Sequence, residues 1–81
     1  MKLPRDLDGD TLAAKLSRIG YKQTRQTGSH MRLTRETPDG QHHVTIPRHH
    51  ALRVGTLNAI LTEIAGHLRM DRTELLKKIS E

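Results

Sequence analysis

The sequence carries six histidines and no cysteine in 81 residues. Imidazole has a reference pKa of about 6.5, so a histidine can give or take a proton near neutral pH. Gly28-Ser29-His30 is followed by Arg32, His42 and His43 stand side by side, and Pro47-Arg48-His49-His50 comes next. A histidine with an arginine beside it suits acid–base work on a phosphate ester: imidazole moves the proton and guanidinium holds the negative charge. The paired histidines also invite a metal reading. Adjacent residues on a strand point to opposite faces, however, and no cysteine or well-spaced acid completes a shell. No metal and no cofactor are therefore expected.

The elements that must position these residues fit one domain over residues 1–81, with one modest core. Hydrophobic residues make up 33% and charged residues 28%, and the formal net charge is +5 with histidines neutral. Such a basic domain is drawn to polyanions, because Lys and Arg displace counterions from phosphates. Tyr21 is the only aromatic residue, which argues against binding single strands by base stacking. The lack of cysteine fits a reducing compartment. Residues 1–6 lack the apolar core of a signal peptide, and no apolar run approaches the ~20 residues of a membrane span. A soluble, cytoplasmic protein is expected.

Leu12, Leu16 and Ile19 form the stripe of a first helix, capped by Asp8, stapled by Leu7 and Leu12, and stopped by Gly20, with Tyr21 packing back on Leu16. Residues 21–27 read as a polar first strand. Gly28-Ser29 is a turn or kink. In residues 30–37, Met31, Leu33 and Arg35 alternate with His30, Arg32, Thr34 and Glu36. Pro38-Asp39-Gly40 is a hairpin turn, and residues 42–46 form a third strand with His42, Val44 and Ile46 on one face and His43 and Thr45 on the other. Matching the apolar faces leaves His30, Arg32, Thr34, His43 and Thr45 together on the side away from the helices. Residues 47–55 read as a loop. Thr56 is placed as the cap of a long helix whose stripe is Leu57, Ile60, Leu61, Ile64, Ala65 and Leu68, with Gly66 ending or weakening it. Asp71 and Glu74 form a capping box for a last short helix. The predicted fold is a two-layer α+β sandwich: a three-stranded antiparallel sheet with helices on one face, in the order of the double-stranded-RNA-binding domain.

Gly28-Ser29-His30, Pro47-Arg48-His49, Gly55-Thr56-Leu57, Ile60-Leu61 and Ala65-Gly66, in this order on this architecture, resemble the HicA toxin family, over about residues 7–66. The resemblance implies a fold like the double-stranded-RNA-binding domain and ribosome-independent cleavage of messenger RNA. It makes the histidine of Gly-Ser-His essential, here His30. It also implies neutralisation by a HicB antitoxin encoded alongside, in a toxin–antitoxin hetero-oligomer. The tail beyond Gly66, beginning His67-Leu68-Arg69-Met70, departs from the family's usual short ending.

The residues suit that chemistry in their own right. RNA carries its nucleophile, the 2′-hydroxyl, so cleavage needs a base, a proton donor for the leaving oxygen, and positive charge at the phosphate. His30 is the candidate catalyst and a 2′,3′-cyclic phosphate the expected product. Arg32, Ser29, His43, His49, Arg48 and Lys22 are candidate RNA-binding residues, with His43 a possible second acid or base. Lys15, Arg18, Lys22 and Arg25 can extend a phosphate patch from the first helix to the sheet, or simply be a solvated face. His42, among apolar neighbours, reads as a core-edge residue. Gly28-Ser29-His30-Met31 also matches a tag-removal scar, but the capped helix before it belongs to the core. Competing functions are a non-catalytic RNA-binding module, a DNA-binding helix-turn-helix in the last two helices, and an interaction protein whose basic sheet face docks an acidic antitoxin.

Overall fold

The computed structural model describes residues 7–80, so the leader reading of residues 1–6 lies outside the described residues. The order is α1 (Gly9–Ser17), β1 (Lys22–Thr27), β2 (His30–Thr37), β3 (Gly40–Pro47), α2 (Val54–Leu68) and α3 (Arg72–Ser80). The strands form one antiparallel sheet in the order β1-β2-β3, and the chain is an α+β protein. The helices pack on the face that carries Met31, Leu33, Val44 and Ile46, all buried in one cluster with Leu12, Leu16, Leu57, Ile60, Leu61, Ile64, Leu75 and Ile79. Each such side chain contributes on the order of 1.5–3 kcal/mol, which is what holds the sheet onto the helices.

Asp8 caps α1, accepting from the Thr11 amide at 2.6 Å, and this bond keeps its carboxyl below the usual range. Asp71 and Glu74 exchange the two capping-box bonds at the start of α3. Gly20, at φ 99°, makes the left-handed stop after α1. The two hairpins are tight: Thr27 pairs with His30 across Gly28-Ser29, and Thr37 pairs with Gly40 across Pro38-Asp39. β3 therefore starts two residues earlier than its apolar alternation indicates, because the turn delivers Gly40 straight into the ladder.

Three further details depart from the sequence reading. α2 starts at Val54 with Arg53 as its cap and no side-chain cap bond, so Thr56 lies inside the first turn. The Leu52 amide bonds the Leu7 carbonyl at 2.9 Å and Leu52 is buried, which brings the chain to its helical start early. Gly66 is helical; the stop is Arg69 in the left-handed region (φ 56°), with the Met70 amide bonded to the Ala65 carbonyl. Met70 and Leu68 pack against the core, which offsets the ~1–2 kcal/mol of a non-glycine residue in that conformation. Finally, α1 lies on the core side of the sheet, so Lys15 and Arg18 do not continue the outer face.

The segment after β3 is pinned by backbone bonds. The Arg48 amide donates to the Ser29 carbonyl (2.6 Å) and the Gly9 amide to the His49 carbonyl (3.1 Å). Gly9 sits so close that a Cβ there would run into the Pro47 carbonyl oxygen. The end of β3, the β1–β2 turn and the start of α1 are thereby one rigid corner.

Candidate nucleic-acid interface

Register orders the uncovered face of the sheet into rows. Thr27, His30 and Pro47 form the first, and Arg25, Arg32 and Thr45 the second. A bulge in β1 between Gln23 and Arg25 puts Lys22 and the bulged Thr24 beside the third row, Thr34 and His43. Glu36 and Gln41 close the series. Arg25, Thr27, His30, Arg32 and Thr45 line one depression of about 310 Å³. No acid contributes to its walls. Arg25 and Arg32 are direct cross-strand partners, and neither guanidinium has an ion pair or hydrogen bond among the described residues. Like charges placed directly opposite are unfavourable in a sheet, so this pair is uncompensated until an anion arrives. The His30 ring, at the mouth of β2, is exposed and makes no hydrogen bond among the described residues. Arg25, Thr27 and Thr45 are groove residues that the sequence reading did not single out as a set. A two-residue turn at Gly28-Ser29 would have indicated them, since it places Thr27 opposite His30 and Arg25 opposite Arg32.

The other sequence candidates are distributed differently. Arg32 shares the His30 depression. His43 is on the same face but opposite Thr34, four residues along β2 from His30. At ~3.3 Å per residue that is ~13 Å, with the arginine row between, so His43 and His30 do not flank one phosphate as acid and base. Lys22 is on the Thr34 row, at the far end from His30. Ser29, Arg48 and His49 belong to a separate polar depression of about 340 Å³ around the pinned corner, with His50, Asp8 and Asp10. There Arg48 is held by Asp10 in a two-pronged ion pair at 3.0 and 3.1 Å. Its charge is answered within the chain.

Thr34 was expected on a solvated face and is instead 6% exposed. Its Oγ1 lies 2.8 Å from Thr24 Oγ1 and 2.8 Å from His43 Nδ1, and those two side chains cover it.

On the core side, His42 stacks on His67 with ring centroids 3.9 Å apart and planes at 8°. Tyr21 Oη is 2.7 Å from His42 Nδ1, and His42 Nε2 is 3.5 Å from a Glu63 carboxylate oxygen. Burial pushes the Tyr21 phenol up to about 12. It stays protonated and donates to His42, whose other nitrogen faces Glu63. His42 is held below the ordinary histidine range, first by desolvation and then by the His67 ring; Glu63 opposes the shift. His67 Nε2 is buried without a hydrogen-bond partner among the described residues. Also among the described residues, no group of three or more His, Asp or Glu is arranged to hold a metal ion, and no helix is long and apolar enough to cross a membrane.

Compared with models of protein families, residues 9–66 match the one described as the HicA toxin of bacterial toxin–antitoxin systems. No curated protein and no solved structure gives a match.

Proposed function

The chain belongs to the HicA toxin family of bacterial toxin–antitoxin systems, and from that premise we propose that it is an endoribonuclease that cuts messenger RNA in the cytoplasm with His30 as its proton-transfer residue. The observation that carries this reading is the unpaired Arg25–Arg32 couple set beside an exposed, unbonded histidine in a groove without acids. The two guanidiniums hold the scissile phosphate and its growing negative charge. His30 takes the proton of the 2′-hydroxyl. The 2′-oxygen bonds to phosphorus, the bond from phosphorus to the 5′-oxygen breaks, and that oxygen takes a proton from water. A 2′,3′-cyclic phosphate and a free 5′-hydroxyl remain. The partner is a HicB-type antitoxin with an acidic surface that covers the same groove in a hetero-oligomer.

Incubating a long single-stranded RNA in EDTA with the wild type and with His30→Ala tests this. Cutting by the wild type alone supports it; equal cutting by both overturns the role of His30. An RNA blocked at its 2′-hydroxyls should survive, and its cleavage would overturn the cyclic-phosphate route. A second reading rests on the freedom of the His30 ring, which no neighbour orients: the same groove binds RNA without cutting it. Equal RNA binding by both proteins with no fragments from either would favour that reading.

A further inference from the structure

The third row of the sheet face holds a built polar site that the cleavage reaction does not use. Thr24, Arg25, Arg32, Thr34, Gln41 and His43 enclose a depression of about 290 Å³ next to the His30 groove, and the two arginines wall both. Inside it the hydrogen bonds form a chain. Thr24 Oγ1 donates to the Arg32 carbonyl at 3.4 Å, since a carbonyl can only accept. Thr24 has then spent its proton, so Thr34 Oγ1 must donate to Thr24 Oγ1. Thr34 has then spent its own, so His43 must donate from Nδ1. All three bonds exist together only with this polarity. The chain fixes the orientation of His43 and asks its Nδ1 to donate; in the neutral imidazole Nε2 is then the acceptor, and it has no protein partner among the described residues. His30 has no such support, so holding an imidazole is not a general property of this face.

An acceptor of fixed direction, beside guanidinium donors and the oxygen of the Gln41 amide, whose nitrogen is bonded to Glu36 at 2.6 Å, is the equipment for reading a nucleobase edge. Such an edge presents donors and acceptors side by side. It lies ~13 Å along the strand from His30, within reach of nucleotides flanking the scissile phosphate. We propose that this depression is a nucleobase-recognition subsite of the RNA groove, in which the His43 Nε2 accepts a hydrogen bond from a base N–H. Thr34 is the positioning residue that aims it. The inference rests on the RNA-cleaving reading and names how that site selects where it cuts.

The test compares wild type, His43→Ala, Thr34→Val and Thr34→Ser on one long RNA of mixed, unstructured sequence, with fragment ends sequenced and kcat and KM measured. Far-ultraviolet circular dichroism and a melting curve control for folding. Wild-type fragment ends should show a base preference near the cut. His43→Ala and Thr34→Val should still cut, with that preference flattened and KM raised about 10-fold. Thr34→Ser keeps the oxygen and should restore the preference, which a purely structural role of Thr34 would not require. Unchanged fragment patterns in His43→Ala overturn the proposal. So does a loss of kcat as deep as that of His30→Ala with KM unchanged, which would make His43 catalytic. If the wild type does not cut, the cleavage reading fails separately. Anisotropy with the four homopolymeric oligonucleotides then decides: a binding rank order lost in His43→Ala keeps the subsite, and a rank order kept, or no binding, removes it.

Discussion

Two pairs of histidines lie on opposite sides of one three-stranded sheet, and they are treated in opposite ways. On the core side, His42 is stacked on His67, bonded by Tyr21 and faced by Glu63. On the open side, His30 is exposed without a bond, while His43 is held from one nitrogen only. In the core pair both ring nitrogens of His42 are met by neighbours, while His67 is held by the ring stack and keeps a buried Nε2 without a partner among the described residues. The open pair keeps nitrogens unspent and, with Arg25 facing Arg32, tolerates an unfavourable charge arrangement. The contrast teaches that residue type alone does not mark a site. What marks it is a group left with unused bonding capacity at a place where water and a ligand can reach it.

The two sides of the sheet should answer the same substitution in opposite ways. The largest effect is expected from His30→Ala: RNA cleavage should fall by about 10²–10⁴-fold while the melting temperature stays close to wild type. A large stability loss in that variant would erase the distinction. His42→Ala should do the reverse. Removing it strands the buried Tyr21 hydroxyl, at a cost of about 1–3 kcal/mol in chemical denaturation, with cleavage close to wild type.

Acidity sharpens the same contrast. His42 resists protonation in the fold, so below an ordinary histidine pKa of about 6.5 the unfolded chain takes up a proton that the folded chain does not. The stability tied to this site is complete above that value and is lost as pH falls through the lowered folded-state pKa. Melting curves from pH 7.5 to 5 should show the decline, and it should shrink in His42→Gln. An identical decline in that variant would place the pH sensitivity elsewhere. A smaller effect is expected from Arg25→Thr, which removes one of two opposed positive charges. Stability should rise by about 0.2–1 kcal/mol by urea titration, while KM for RNA rises. Smallest of all is Asp10→Ala, which breaks an exposed ion pair with Arg48. It should cost under ~1 kcal/mol, and cleavage should hold.

Much of the scaffold was legible along the chain because local signals agreed with one another. Asp8 and Gly20 bound the first helix, Asp71 with Glu74 starts the last, and the alternation of Met31 and Leu33 with His30 and Arg32 assigns the faces of β2. The site was legible only in part. His30 and Arg32 follow from alternation within one strand, but β1 is exposed at every position and has no apolar rhythm to announce its register. Arg25 and Thr27 were therefore not read as neighbours of His30. Ser29, Arg48 and His49 are near His30 in the chain, yet the tight turn and the backbone bonds of the corner gather them into a different depression. Thr56 and Gly66 carried plausible cap and stop signals that packing of Leu52 and Met70 outweighed.

By itself the sequence determined element types, the two faces of the central hairpin, the basic charge and the motifs of the family, because those depend on local conformational preference and on periods of two or 3.6 residues. Tertiary structure alone decided which side chains meet across strands: Arg25 with Arg32, Thr34 with Thr24 and His43, Tyr21 and His67 with His42. Such meetings depend on register, on one bulge and on how helices seat against the sheet. A shift of a single residue would reverse them while leaving every local preference satisfied.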